Sequence, residues 1–196
     1  TGGVIAGLPI AQRVFGKIDP SLDFRTLVAD GKRVEAMTQI ATVKGSAISI
    51  LTGERTALNF LQRLSGTATL TAQFVVATAQ YNVKIIDTRK TTAGWRAIQK
   101  YGVRVGGGYN HRFGLYDGVL IKDNHIIAAG GIAQAVEMAR TAVPHTMKIE
   151  IEVETLKQVE EALQAGADVL LLANMSVALM RAAVEKIAGE AVTAAS

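Results

Sequence analysis

The stretch MKIEIEVETLKQVEEALQAGADVLLLANMSVALMRAAVEKIAG, residues 147–189, decides the predicted fold of this chain. Its hydrophobic pattern predicts strands at 147–153 and 169–172, each followed by a helix, at 156–165 and 177–187. Short apolar strands that alternate with amphipathic helices indicate a parallel sheet, either open or closed into a barrel. In such folds the ligand site lies at the carboxyl ends of the strands, so the residues that follow each strand are the candidate site.

The same alternation extends upstream to the middle of the chain. Strands are predicted at 83–86 and 118–121, and helices at 95–101 and 132–141. Four strands follow residue 51, which is fewer than a complete barrel needs. The sequence therefore predicts an α/β fold, a partial (open) barrel that is unfinished at Ser196.

The first quarter of the chain has a different pattern. Alternating segments separated by turns predict a small β-rich unit, at 22–28, 33–43 and 48–51. A long helix is then predicted from Glu54 to about residue 80, with Thr52 as its N-cap. This change of pattern predicts two domains, 1–52 and 53–196.

Composition narrows the class of protein. The chain has 196 residues, 49% of them hydrophobic and 19% charged, which is typical of a globular domain. The lack of cysteine excludes thiol catalysis, disulfides and cysteine-ligated zinc. Because there is no apolar run near the roughly 20 residues of a membrane span and no basic signal-peptide start, we expect a soluble, cytoplasmic protein. Thr1 is not a start methionine, so we expect a processed form or a fragment.

Charge is unevenly distributed, although the net charge is only +4. Residues 84–125 hold 8 Lys/Arg and 3 Asp/Glu, whereas residues 148–196 hold 4 and 8. A basic middle and an acidic end suit a site for an anion and a cation together, but they also suit a nucleic-acid patch or scattered solvated charge. With 5% aromatic residues and no basic helix, nucleic-acid binding has little support.

The stretch DTRKTT, residues 87–92, packs two cations and three hydroxyls into six residues after a predicted strand. Arginine offers a planar fork for a carboxylate or phosphate, and lysine adds a compact charge beside it. A polar loop with a helix cap is the alternative, but a cap needs no Arg-Lys pair. The pattern therefore favours an anion site.

A glycine-rich stretch, GGGYNHR at 106–112, ends in His111 and Arg112. Its glycines would let the backbone approach a ligand, although it lacks the phosphate-loop and dinucleotide spacings and a mobile loop is the alternative. Lys122 follows an apolar strand directly and points either to solvent or to a ligand. His125 fits a packed or capping histidine as well as an active one.

Three carboxylates, those of Glu150, Glu152 and Glu154, alternate along one predicted strand and share one face. They repel one another unless a cation lies between them, so the row predicts Mg²⁺ or pairing with lysine or arginine. Arg55 is predicted in the first turn of the long helix, where it either strengthens an anion site or is exposed.

Four stretches together resemble one enzyme family. They are GERTALNFLQRLSG (53–66), DTRKTT (87–92), GGGYNHRFGLYD (106–117) and LIKDNHI (120–126). In this order and spacing they resemble quinolinate phosphoribosyltransferase, also called nicotinate-nucleotide pyrophosphorylase (carboxylating). The similarity covers nearly the whole chain and implies a small α+β open-faced sandwich domain before the partial barrel.

The resemblance also implies a reaction. The family converts quinolinate and phosphoribosyl pyrophosphate, with Mg²⁺, to nicotinate mononucleotide, CO₂ and pyrophosphate in NAD biosynthesis, as a homodimer or larger assembly. The residues implied for substrate binding are Arg55 (in a neighbour's site), Thr88, Arg89, Lys90, His111, Arg112, Lys122, Glu152 and Ala173. Lys90, Lys122 and Glu152 are implied as catalytic, and Glu152 as the metal ligand. These roles suit the chemistry, since a dianion needs several cations to leave water and a carboxylate stabilises positive charge on the ribose.

The chain departs from the family pattern at Ala173, where the family has an aspartate in Leu-Asp-Asn. The carboxylate expected beside the ribose and metal is therefore missing. The family sequence also begins before Thr1 and continues past Ser196, where the 5′-phosphate loops are expected. These departures leave an alternative: a truncated or altered core that binds an anionic ligand without efficient turnover. A relative with a different anionic substrate is disfavoured by the complete set of cations.

Overall fold

The computed structural model describes residues 2–196 and has two compact units, one ending at Phe113 and the other Gly114–Ser196. The elements of the first unit are β1 (Gly3–Val4), α1 (Leu8–Ile18), β2 (Asp23–Thr26), β3 (Arg33–Val34), β4 (Ala41–Lys44), α2 (Ala47–Ala77) and α3 (Arg96–Val105). Those of the second are β5 (Val119–Ile121), α4 (Asp123–Ala129), α5 (Ile132–Ala142), β6 (Ile149–Val153), α6 (Leu156–Gln164), β7 (Val169–Leu172), α7 (Val177–Ile187) and β8 (Val192–Ala195).

The 31-residue helix α2 is the central element of the first unit. Small or fully buried side chains on it, Ala57, Leu64 and Ala68, form the contact with its neighbours α1 and α3. The predicted N-cap Thr52 is wrong: Ser46 accepts a hydrogen bond from Ser49 N, and Thr52 donates to a carbonyl inside the helix. The mainly apolar run 48–51 is compatible with a helix or a strand, and the N-cap at Ser46 makes it the start of the helix. The domain boundary after residue 52 stays a prediction, although both flanking residues lie within α2.

Two antiparallel strand pairs, β1 with β3 and β2 with β4, complete the first unit. The prediction of a buried strand at 83–86 is wrong. Only Ile86 forms a bridge, with Tyr109, and Val83 is 57% exposed. The apolar residues there are too few and too exposed for a sheet of their own, so this segment is better described as extended chain.

The glycine-rich stretch packs on α2. A Cβ on Gly106 would lie 2.5 Å from Ala68 O, and one on Gly108 would lie 2.8 Å from Thr71 Cγ2. These two positions therefore exclude any side chain for reasons of packing. Close packing against α2 is enough to explain why glycine is needed at these two positions, and no bound ligand has to be invoked.

The second unit has the predicted alternation. Its four strands are all parallel and lie in chain order β5-β6-β7-β8, with a helix after each of the first three. β8 was not predicted. Five fully buried side chains of β6 and β7 form the core under α5, α6 and α7, namely Ile149, Ile151, Val153, Leu170 and Leu172. Burial of each stabilises the fold by roughly 1.5–3 kcal/mol. The opposite face of β6 carries Glu150 and Glu152, and Glu154 directly follows the strand.

Candidate active site

The first cationic segment, residues 87–92, is anchored by the carboxylate of Asp87. This side chain is 8% exposed, and its Oδ1 accepts hydrogen bonds from Lys100 Nζ at 2.5 Å and from His111 N at 2.8 Å. Its Oδ2 accepts from Asn110 Nδ2 at 2.6 Å. One buried carboxylate thus binds a helix lysine and the backbone of another loop, which satisfies its charge.

The second cationic segment, residues 109–113, lies beside the first. Tyr109 O accepts from Asp87 N at 3.1 Å, and His111 O accepts from Lys100 Nζ at 2.9 Å. Asn110 also donates to Lys100 O at 3.0 Å. Backbone and side-chain bonds therefore fix the two cationic segments side by side within the first unit.

Arg96 on α3 binds both segments as well. Its Nη2 donates to Arg89 O at 3.3 Å and its Nε to Thr91 Oγ1 at 3.2 Å. Its Nη1 donates to Phe113 O at 3.1 Å. A single guanidinium therefore crosses from one segment to the other.

The predicted binding residues of the first segment have different surroundings. Thr88 Oγ1 accepts from Lys90 N at 3.0 Å, and the Lys90 side chain is exposed. Arg89 Nε is buried and finds no hydrogen-bond partner among residues 2–196. A buried cationic N–H without an acceptor is costly, and a ligand carboxylate is a suitable acceptor. His111 and Arg112 of the second segment are partly buried.

In the second unit, the carboxyl ends of three strands bring predicted residues into a row. Lys122 directly follows β5, and its Nζ lies 3.3 Å from Glu152 Oε2 on β6. Glu152 is in register with Leu171 of β7, so strand alternation places Ala173 on the same face. Both charged side chains are partly exposed, at 44% and 21%, so this ion pair contributes at most about 1 kcal/mol.

The three glutamates predicted to form a row each have a different environment. Glu154 Oε1 accepts from Asn174 Nδ2 at 2.5 Å, Glu152 pairs with Lys122, and Glu150 is buried. Across the described residues, no group of three or more His, Asp or Glu side chains is arranged to hold a metal ion. Glu152 can therefore offer Mg²⁺ one carboxylate rather than a cage.

His125 has one of the roles that the sequence left open for it, whereas Arg55 does not lie where it was predicted. His125 caps α4, because its Nδ1 accepts from Lys122 N at 2.9 Å. Arg55 is exposed, but it lies in the body of α2 and not in its first turn, because the helix begins at Ala47. A helix N-terminus therefore contributes nothing to an anion site at Arg55.

Sequence comparison then decides the family. Residues 1–65 match the model of the quinolinate phosphoribosyl transferase N-terminal domain, and residues 67–196 match that of the C-terminal domain. The chain belongs to the quinolinate phosphoribosyltransferase family. The resemblance inferred from the motifs is thereby confirmed.

Named relatives agree with this membership. The chain is 48% identical to probable nicotinate-nucleotide pyrophosphorylases [carboxylating] from Synechocystis sp. and Bacillus subtilis, over 94% and 88% of its length. It spans 63% and 60% of those two proteins.

Solved structures are also similar. NadC from Streptococcus pyogenes has a TM-score of 0.94 and 45% identity, and the nicotinate-nucleotide pyrophosphorylase from Francisella tularensis has 0.95 and 42%. Each comparison covers 100% of this chain and 69% of the other. The predicted fold class, a small N-terminal domain and a barrel-like α/β domain, is confirmed for this quinolinate phosphoribosyltransferase family member.

Sequence reasoning missed four residues that shape the site: Asp87, Arg96, Lys100 and Asn110. Asp87 stands directly after an apolar run, which is a weak signal for a functional carboxylate. Arg96 and Lys100 look like ordinary solvated cations on a short helix, because their acceptors come from distant parts of the chain. No pattern in the sequence identifies them.

Proposed function

We propose that this chain forms the substrate-binding core of a quinolinate phosphoribosyltransferase, that is, a nicotinate-nucleotide pyrophosphorylase (carboxylating). The observation that carries the proposal is the pair of cationic segments held side by side, with the buried Arg89 Nε lacking an acceptor. The names of the relatives support the same reaction. The enzyme would convert quinolinate and phosphoribosyl pyrophosphate to nicotinate mononucleotide, CO₂ and pyrophosphate.

Quinolinate binding falls to the first unit in this proposal. Quinolinate carries two adjacent carboxylates, and Arg89 and Arg112 offer two guanidinium forks. Thr88, Lys90 and His111 add further donors. Each charge-assisted hydrogen bond stabilises the bound dianion by about 1.5–3 kcal/mol and offsets its removal from water. These cations also stabilise the electron density that decarboxylation leaves on the pyridine ring.

The ribose side of the reaction falls to the strand ends of the second unit. Bond breakage at the ribose carbon sends the electron pair to pyrophosphate and develops positive charge on the sugar. The carboxylate of Glu152 stabilises that charge, and Lys122 orients Glu152 from 3.3 Å. Glu152 also suits Mg²⁺, which keeps several waters and takes one or two carboxylates with substrate phosphates. When bound, Mg²⁺ neutralises charge on the leaving pyrophosphate.

The proposal includes an assembly and a location. Arg55, exposed on α2, would complete the site of a neighbouring subunit in a homodimer or larger assembly. A cytoplasmic location suits the phosphorylated co-substrate. No helix within residues 2–196 is both long and apolar enough to cross a membrane.

A quinolinate titration tests the proposal. Calorimetry should show that the chain binds quinolinate at least tenfold more tightly than nicotinate, which lacks the second carboxylate. Arg112→Ala should weaken quinolinate binding about tenfold to a hundredfold. The control Arg181→Ala removes an exposed arginine of α7 and should leave the affinity unchanged. Equal affinity for the two pyridines, or unchanged binding by Arg112→Ala, would contradict the assignment.

A second candidate rests on Ala173. If the row formed by Lys122, Glu152 and Ala173 lacks a necessary carboxylate, the chain is an altered core. Such a core binds the dianion but converts it slowly. Binding alone does not separate the two candidates, because both keep the cationic segments. Product formation separates them.

A further inference from the structure

Helix α3 presents two cations one turn apart, Arg96 and Lys100, and each bridges the two cationic segments. Arg96 donates to Arg89 O in the first segment and to Phe113 O in the second. Lys100 donates to Asp87 in the first and to His111 O in the second. Residues at i and i+4 lie on the same side of a helix, so α3 acts as one edge that clamps both segments.

Both cations already bind acceptors of the protein. Lys100 is 4% exposed and its Nζ already binds two acceptors. All three nitrogens of the Arg96 guanidinium donate to groups of the segments, at 3.1–3.3 Å. We therefore expect each residue to affect an anionic ligand through the segments that it holds.

The acceptors that they bind make this clamp relevant to anion binding. Three of them are the backbone carbonyl oxygens of Arg89, His111 and Phe113, whose partial negative charge repels a carboxylate. Arg89 and His111 are themselves predicted ligand residues. Binding their carbonyl oxygens to α3 restricts the backbone from which those side chains extend.

We propose that Arg96 and Lys100 are positioning residues, which hold the two cationic segments in the arrangement that binds quinolinate. This inference rests on the proposed function. Without the clamp, only a fraction of the molecules would have both segments correctly placed. The apparent dissociation constant rises in inverse proportion to that fraction, so a fall to about one tenth weakens binding about tenfold.

The test compares matched variants by quinolinate calorimetry, well below each melting temperature. Lys100→Met removes both bridges of Lys100 and should weaken binding about tenfold or more. Arg96→Lys keeps the charge but cannot reach three acceptors, so it should weaken binding about threefold to tenfold. Arg96→Lys remains informative if Lys100→Met does not fold. The control Arg140→Lys makes the same change at an arginine that bonds Asp168 and Gly166 in the second unit, and should bind like the wild type.

The outcomes separate positioning from fold maintenance. Weaker binding by Arg96→Lys, with Arg140→Lys unchanged at a similar loss of melting temperature, supports the inference. Unchanged affinity in Arg96→Lys overturns it, as does an equal loss in Arg140→Lys. A wild-type chain that does not bind quinolinate overturns the proposed function, and this inference with it.

Discussion

Asp30, which lies outside α1, caps the N-terminus of that helix. Gly7, at the cap position, has no side chain for this purpose, and Asp30 accepts hydrogen bonds from Gly7 N at 2.7 Å and Leu8 N at 3.1 Å. Tyr101 on α3 donates its hydroxyl to the same carboxylate at 2.6 Å. At the scale of the residue, one acid thus joins α1 to α3 and provides the acceptor that N–H groups at a helix N-terminus need.

This contact predicts a pH dependence of stability. Burial, with the hydrogen bond to Asp30, raises the pKa of Tyr101 to about 12. The folded state therefore favours the neutral phenol. The contribution of Tyr101 is complete below the ordinary pKa of about 10 and is lost as pH rises towards 12.

Tyr101→Phe should be less stable than the wild type by about 0.5–1.5 kcal/mol at pH 8, by urea denaturation. The difference should shrink between about pH 10 and pH 12. Tyr81→Phe, at an exposed tyrosine, is the control and should stay close to the wild type throughout. A Tyr101→Phe difference that does not change with pH would contradict the account.

At this scale the sequence suggests candidate ligands from residue types, but it does not reveal which side chains become buried. Arg89, Lys90, His111 and Arg112 could be chosen as anion ligands because their types and their crowding are unusual. The burial of Lys100 could not be predicted, because it depends on Asp87, which lies 13 positions away and reaches it only after folding. Ala173 stood out only against the family pattern.

At the scale of the element, close packing of the glycine-rich stretch on α2 sets the sequence requirements. A Cβ at Gly106 would lie 2.5 Å from Ala68 O and 2.7 Å from Thr71 Cβ, distances that real Cβ atoms do not adopt. By contrast, a Cβ at Gly66, inside α2, meets nothing within 4 Å. The two glycines therefore have opposite roles.

Alanine at these two positions should have effects of opposite sign. Gly106→Ala should lower the free energy of unfolding by about 1–3 kcal/mol, because the stretch must move away from α2. Gly66→Ala should raise it by about 0.5–1 kcal/mol, because alanine is the better helix former. Denaturant unfolding of both variants measures this. Gly106→Ala at wild-type stability would show that the packing is looser than described.

The elements of the second unit were predicted well, and those of the first less well. Strands β6 and β7 and helices α6 and α7 have strong periodicity and clear turns, and the predicted range of α7 matches the observed one. Helix α2 was predicted to begin too late, because the mainly apolar run 48–51 fits a strand as well as a helix. Residues 83–86 were predicted as buried because an apolar run does not reveal what covers it.

At the scale of the whole molecule, exposed apolar side chains accompany Arg55 on α2. Ile48 and Leu51 are 80% and 71% exposed, and their spacing to Arg55 places all three on one side of the helix. We expect a second copy of the chain to cover this stripe and to receive Arg55.

Sedimentation at micromolar concentration should therefore give a mass of at least twice 20.7 kDa. Leu51→Glu should give a folded monomer, because it places a charge in the covered stripe. Met138→Glu, at a 63% exposed position of α5, should leave the assembly intact. A wild-type monomer would refute the assembly and leave the site without a partner's Arg55.

The most direct test of the account is product formation from quinolinate and phosphoribosyl pyrophosphate with Mg²⁺, by the chain and by Ala173→Asp. Strand alternation places an aspartate at 173 on the face that carries Glu152 and Lys122. The proposed function predicts that the chain forms nicotinate mononucleotide and CO₂, and the second candidate predicts that it forms them slowly. The second candidate also predicts a rate higher by on the order of a hundredfold in Ala173→Asp, with little change in quinolinate affinity. A chain that already turns over at about 1 s⁻¹ with no gain from Ala173→Asp would contradict the second candidate, and no product from either chain would contradict the proposed function.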